Sequence, residues 1–429
     1  RGGIFRLRNG HRPMKRVLIF ADIFPPAFAP RAAYLTKYLP RFGWEPFVIT
    51  EKMPTPASQS HGDVFGGFCS DIPVTAIDLS SASFLSQAIR SARLFCELFW
   101  EQKEERFYKE AVKAFPSVKF DAVLCLTYRK FPLATACRYA QAHRLPWVAD
   151  CRDVIEQYSN YDFFPRGKRL PSLLMKWLRH RYISLRNHYL HKADRVVSVS
   201  PWHCNLLAEV NPRTELIYNG YDPELFSRGS LPCDKFILSY TGRLLTPEMH
   251  DPTLLFEALT SEALQEVRKE RQIELHWYVD EYSRFILQPF IRQYALKDMC
   301  RFFPMVPAVQ VPEILRHSSV LLQLGNTEKP GGPHGIVSTK LFESLAMEKP
   351  ILMVRSDEAI VADIISEAEA GLAAQTTEEV ATFLSDQYTR WKAEGDTSLR
   401  NPNRNFISTF SREEEAKQYA RLLESIVAN

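Results

Sequence analysis

At 429 residues the chain is longer than the roughly 250–300 residues that a single hydrophobic core usually serves, so two domains are expected. Its 45% hydrophobic, 24% charged and 12% aromatic residues are those of a globular protein and exclude disordered and fibrous classes. A net charge of +4, from 54 basic and 50 acidic residues, is too weak over this length to point to nucleic acid.

Residues 1–13, ahead of Met14, are set aside from the fold reasoning. Arg16 to Asp22 (RVLIFAD) is an apolar run of the kind a buried parallel strand requires, and it ends in the loop IFPPAFAP. Ala32 to Leu39 carries apolar residues at helical spacing, and Pro46 to Thr50 reads as a second strand, completing a βαβ opening. Ser83 to Phe115 is helical and amphipathic, Phe120 to Leu126 is a strand, Leu133 to His143 a helix, and Trp147 to Asp150 a strand. A basic helical stretch from Lys168 to Lys192 precedes another strand at Ala193 to Ser198. A short strand with Asn-Gly and Asp-Pro turn chemistry at Ile217 to Phe226 reads as the joint between domains. Lys235 to Thr241, Ile273 to Val279, Ser319 to Leu324 and Pro350 to Val354 then form a second strand series with helices between them, and Arg412 to Ile426 is a last amphipathic helix. The alternation predicts an α/β protein of two Rossmann-like, doubly wound domains facing a cleft. The boundaries drawn are 14–218, 219–405 and a C-terminal helical segment, 406–429, that can cross back to the first domain.

The eight cysteines form no CxxC pair and have no Cys/His spacing suited to zinc, so they read as buried reduced thiols of a cytoplasmic protein. No apolar run reaches the length of about 18 residues that spanning a bilayer requires.

Ligands of open α/β sheets bind beyond the carboxyl ends of strands, which is where chemistry is sought. Tyr240-Thr241-Gly242-Arg243 closes the first strand of the second half: Gly242 permits a tight turn and Arg243 can hold a diphosphate with two N–H groups, or serve as a surface ion-pair residue. Gly331 to Ala346 follows the SVLLQL strand into a helix, where Ser338 or Thr339 can cap the helix and its free N–H groups attract phosphate. Lys340 and Glu343, three residues apart, then present a phosphate-binding cation and a ribose-binding carboxylate on one face, or else form a solvated pair. In the first half, Asp150, Arg152 and Asp153 follow the WVAD strand, either as hydroxyl-orienting groups or as a structural ion pair. Arg31 faces the diphosphate across the cleft or starts a helix at the surface. The basic stretch alternates Lys168, Arg169, Lys176, Arg179, Arg181, Arg186 and Lys192 with Leu173, Leu174, Trp177, Leu178 and Tyr182. That pattern suits either an anionic membrane surface or a solvated face over a core.

KLFESLAMEKPIL, with YTGR upstream, the IYNGYD joint and the FPPAFAP loop, resembles the retaining GT-B glycosyltransferases of the group 1, family 4-like kind that build bacterial surface polysaccharides. The resemblance runs from about Lys15 to the C-terminal helix and is most specific over 331–353. It implies transfer of a sugar from a UDP- or GDP-linked donor to a hydroxyl of a glycan or lipid-linked saccharide, with retention of configuration and with no metal or cofactor. Arg243, His334, Gly335, Ser338, Thr339, Lys340, Glu343 and Arg31 would bind the donor, Asp150, Arg152 and Asp153 would be catalytic, and the protein would be cytoplasmic, peripheral on the inner membrane face. The sequence departs from the family in two places: Gly335 stands eight residues before Glu343, where many relatives have a second glutamate, and Glu248, with His250 nearby, stands where many have lysine. The competing readings are a catalytically degenerate relative that binds nucleotide sugar or a partner transferase, and a nucleotide-sugar 2-epimerase.

Overall fold

Thirteen strands among the described residues assemble into two sheets; the computed structural model describes residues 14–53, 62–79, 97–157, 171–247, 249–325, 335–355 and 359–428. The first sheet contains β1 (Lys15–Ala21), β2 (Trp44–Glu51), β3 (Val74–Ile77), β4 (Ala122–Thr127), β5 (Trp147–Cys151), β6 (Arg195–Ser198) and β7 (Thr214–Leu216), in the order β3-β2-β1-β4-β5-β6-β7 with every pairing parallel. The second holds β8 (Phe236–Thr241), β9 (Ile273–Tyr278), β10 (Cys300–Phe303), β11 (Val320–Leu324), β12 (Ile351–Val354) and β13 (Gly371–Ala374), ordered β10-β9-β8-β11-β12-β13 and again all parallel. Parallel strands need crossovers, so helices cover both faces and each sheet separates two apolar layers. Val17, Ile19 and Leu124 face one layer of the first sheet while Leu18, Phe20 and Val123 face the other. Strand order reverses between β1 and β4 and between β8 and β11, which sets the ligand crevices beyond their carboxyl ends.

The last helix, Arg412–Val427, begins at Ser411, whose hydroxyl accepts from the Glu414 N–H, and carries Glu413, Glu414 and Glu415 in its first turn, where the helix dipole favours negative charge. Its Ala416, Tyr419, Ala420, Leu423 and Ile426 lie in the core of the first domain with Ala33, Leu35 and Tyr38 of the Pro30–Tyr38 helix. The chain therefore passes between the domains twice, and the two passages are bonded together: Tyr221 N donates to Phe410 O at 3.0 Å and Arg412 N to Tyr221 O at 2.8 Å. The strand expected at Ile217 to Phe226 lies earlier, at Thr214–Leu216; from Tyr218 on, the backbone serves the joint and not the sheet.

The basic helix runs from Ser172 to Leu190, while Lys168 and Arg169 lie outside the described residues. Arg186, expected on a basic face, is buried, and both its terminal nitrogens donate to the Glu156 carboxylate at 2.7 Å. Among the described residues seven cysteines are free, and burial pushes thiols such as Cys151 up, to about 12. No helix among those residues is long and apolar enough to cross a membrane.

Candidate active site

The carboxyl end of β8 turns at Gly242, whose φ of +109° suits glycine. A Cβ on Gly242 would sit 3.0 Å from Cε and Nζ of Lys340, so the absent side chain is what lets Lys340 lie over the turn. Lys340 belongs to the Thr339–Ala346 helix, capped by Ser338, whose Oγ accepts from Lys340 N at 3.3 Å. Its ammonium donates to the Tyr240 hydroxyl at 2.8 Å and stands 4.3 Å from the centroid of the same ring. Tyr240 in turn donates to the Arg243 carbonyl at 3.1 Å, which ties cation, turn and strand into one unit. Arg243 is 62% exposed and reaches Asp280 at 3.2 Å, leaving guanidinium surface toward solvent.

Lys340 and Glu343 are not a solvated pair. Burial moves both toward neutrality: the Lys340 ammonium is pushed down to about 8, with Glu343 opposing the shift, and the Glu343 carboxyl is pushed up to about 7, with Arg412 and then Lys340 opposing it. His250, pushed down to about 4 by burial and by Lys340, is neutral near pH 7, and its Nδ1 accepts from Leu245 N at 3.3 Å. A diphosphate would favour charged Lys340, and ribose hydroxyls donating to Glu343 would favour its anion. Donor affinity is therefore expected to be tightest between pH of about 7 and 8 and to weaken on both sides. Calorimetric Kd values across that range check this; a Kd flat through both limbs contradicts it. The stability signs are opposite. Glu343, raised from 4.5 to about 7, makes stability fall as pH rises through that window, because the folded state holds the extra proton; Lys340, lowered from 10.5 to about 8, makes it rise between those values.

Gly335 is buried with φ of +69°, and a Cβ there would lie 3.0 Å from Ser200 Oγ and from Trp202 Cβ of the first domain. The domains meet at this point. Gly335→Ala is expected to cost about 1–2 kcal/mol for left-handed backbone in a non-glycine residue. A denaturant midpoint unchanged from wild type would contradict the close approach. His334, and with it Gly331 to Pro333 and Glu248, lies outside the described residues.

Two expected cleft residues are elsewhere. Arg31 and Asp150 are 2% and 0% exposed and bonded to each other, Arg31 Nε to Asp150 Oδ2 at 2.7 Å, inside the protein and not on the cleft surface. The remaining Arg31 nitrogens meet Ile217 O at 3.0 Å, Tyr218 O at 3.2 Å, Tyr419 Oη at 2.8 Å and Glu415 at 2.9 Å, and Tyr419 also donates to Asp150 at 2.6 Å. Arg31 is thus corrected from donor contact, and Asp150 from catalytic group, to the buried fastening of the interdomain joint. A strand's carboxyl end still leaves some side chains pointing inward, and their burial was invisible in sequence.

Arg152 and Asp153 do sit at the crevice. Arg152 Nη2 donates to both Asp22 oxygens at 3.0 and 2.9 Å, and Asp22 also accepts from Tyr128 N at 2.8 Å, so the ends of β1, β4 and β5 converge. Asp153 accepts from Gln157 at 2.7 Å, and Gln157 Oε1 lies 2.6 Å from His203 Nε2, a ring that burial pushes down to about 4 and keeps neutral. Burial also raises the Asp22 and Asp153 carboxyls, with Arg152 opposing both shifts. Sequence reasoning gave no role to Asp22, Tyr128, Tyr240 or His203; Asp22 ends the RVLIFAD run and could have been assigned one by the strand-end rule. A separate cavity of about 280 Å³ lies at the joint beside Tyr218, Ile360, Asp363 and Phe410, and none of the donor candidates among the described residues lines it. Among the described residues no group of three His, Cys, Asp or Glu side chains is placed to hold a metal ion.

Two doubly wound domains, with a cationic helix start and glycine turn at the strand ends of the second, define the GT-B fold. Residues 30–225 match the sequence model described as Glycosyltransferase Family 4, and the chain as a whole has the two-domain GT-B fold. Its fold is similar to that of sucrose-phosphate synthase from Thermosynechococcus elongatus, at 15% identity over 96% of this chain and 99% of that one, with TM-score 0.62. A glycosyltransferase from Rickettsia africae has 14% identity, coverage of 97% and 100%, and TM-score 0.60. HepE of Anabaena in complex with UDP-glucose has 13% identity, coverage of 96% and 99%, and TM-score 0.59. Comparison with curated protein sequences finds no match.

Proposed function

We propose that the chain transfers a sugar from a nucleoside diphosphate sugar, UDP- or GDP-linked, to a hydroxyl of a glycan or lipid-linked saccharide, with retention and without a metal. The observation that carries this reading is the Lys340 ammonium, held by Tyr240 at 2.8 Å over the Gly242–Arg243 turn, on a Ser338-capped helix that also bears Glu343. In this reading Lys340, Arg243 and the free helix N–H groups neutralise the departing diphosphate, the role a metal plays in other transferases. Glu343 holds the ribose, with Ser338 and Thr339 beside the phosphates. Arg152, Asp153 and Asp22 orient the acceptor across the crevice. Retention follows if the leaving phosphate takes the acceptor proton on the same face of the sugar. UDP-glucose bound to a protein of the same fold, HepE, makes a uridine donor the first to test.

The test is a thermal-shift series with nucleoside diphosphates and their sugars, since a ligand bound only by the native state raises apparent stability by RT ln(1 + [L]/Kd). A selective shift with one nucleotide sugar, reduced in Glu343→Ala and Arg243→Ala variants that remain folded, supports the reading. Product anomers then report on retention, and release of an epimerised sugar would indicate an epimerase. No shift with any donor would favour a degenerate, partner-binding relative.

A further inference from the structure

The cavity of about 280 Å³ at the joint takes its walls from three stretches of chain: Tyr218 and Asn219 of the first passage, the Ala359–Glu367 helix of the second domain, and the return passage from Phe406 to Gln418. Its apolar side is preformed, with the Phe410 ring 5.0 Å from Phe406 and 5.5 Å from Tyr218 between centroids, and with Ile360 and Ile364 beside them. Its polar side is acidic. Asp363 and Glu367, four residues apart on one helix face, are exposed at the cavity and form no ion pair among the described residues. Glu415, 4% exposed, lines it too: its Oε1 stands 2.9 Å from Arg31 Nη1 but accepts no hydrogen bond, Nη1 donating instead to Tyr218 O at 3.2 Å and Asn219 Oδ1 at 3.3 Å. A buried acceptor without a donor is a cost that most folded proteins avoid. No Lys, Arg or His is among the lining residues, which disfavours phosphates and nucleotides and sets this cavity apart from the donor crevice.

We infer that this cavity is a second binding site, for a small organic amine: its ammonium sits between Asp363 and Glu367, and its apolar or aromatic body lies against Tyr218, Phe406 and Phe410. An ammonium is attracted both by carboxylates and by the faces of aromatic rings. Mostly apolar walls with a few convergent polar groups are what small-ligand sites share. The ligand touches both interdomain passages at once, beside the bonds that Tyr221 makes to Phe410 and Arg412, and so braces the joint. Tyr218 also packs 5.9 Å from Phe342, the residue before Glu343, so a ligand that shifts Tyr218 acts on the helix bearing the donor candidates. That coupling alone rests on the transferase reading.

Titration calorimetry of the full chain with tyramine tests the site, beside 4-ethylphenol and 4-hydroxyphenylacetate, which carry the same phenol ring with a neutral or an anionic end. Saturable tyramine binding that weakens with salt is expected. The neutral compound should bind roughly three- to thirtyfold more weakly, and the anion more weakly still. Asp363→Asn/Glu367→Gln changes exposed side chains alone, so it should keep the wild-type thermal midpoint while losing tyramine affinity by a similar factor. Absence of saturable tyramine binding by the wild type, equal binding of the three compounds, or undiminished affinity in the double variant would each overturn the inference. Repeating the titration with UDP present keeps the two readings apart. A changed tyramine affinity, matched by an equal change in UDP affinity, supports the coupling. Unchanged affinities remove the coupling, and a chain that binds tyramine but no UDP keeps this site while the donor assignment fails.

Discussion

Arg31→Met is expected to lower the unfolding free energy by about 3–5 kcal/mol, because it leaves buried carboxylates without their cation. Asp150 and Glu415 are 0% and 4% exposed, and each is within 2.9 Å of the Arg31 guanidinium. Arg412, itself buried and paired with Glu415 at 2.6 Å, would compensate only part of the loss. Three carbonyl or hydroxyl partners from the joint and the last helix, Ile217, Tyr218 and Tyr419, would also lose a donor. The loss falls on the contacts that join the Pro30–Tyr38 helix, β5, the joint and the Arg412–Val427 helix. Urea unfolding followed by tryptophan fluorescence measures it. A variant with wild-type stability and a lost donor response would return Arg31 to the cleft.

Lys340→Met should do the opposite, weakening donor binding by about 1.5–3 kcal/mol, roughly 10- to 150-fold in Kd, while leaving the fold at least as stable. The donor loss follows from removing a charge-assisted contact to phosphate. The stability expectation follows from the depressed ammonium, which burial pushes down to about 8: holding it charged at neutral pH costs stability, and methionine fills similar volume without charge. Residues kept for ligands at the expense of stability behave in this way. Titration calorimetry with the responsive nucleotide sugar, beside thermal midpoints, reads both quantities. If stability collapses while affinity is retained, Lys340 is structural and the site assignment fails.

All nine central strands were legible in the sequence, because a strand covered on both faces must be a continuous apolar run such as Leu18 to Ala21 or Ala122 to Leu126. Of the other four, β3, β10 and β13 escaped and β7 was expected a few residues too late; all four are edges of the two sheets. Each is only three or four residues long and partly open to solvent, so Thr214–Leu216 and Cys300–Phe303 carry no unbroken apolar signal. The same difference between local and distant information divides the site. Gly242, Arg243, Ser338, Lys340 and Glu343 could be read as a group because strand-end turns, helix caps and helical spacing are local. That Lys340 rests on Tyr240, one hundred residues away in sequence, and that Gly335 meets Ser200 and Trp202 came only from packing. Arg31, Asp150 and Arg186 show the limit most directly: a charged residue in sequence carries no mark of whether its partner waits in the core or in a ligand. The sequence by itself determined the parallel sheets, their order of elements and the cationic helix start. Tertiary structure decided which charges are fastened inside the joint and which remain at the crevice, because burial and pairing depend on residues brought together from distant parts of the chain.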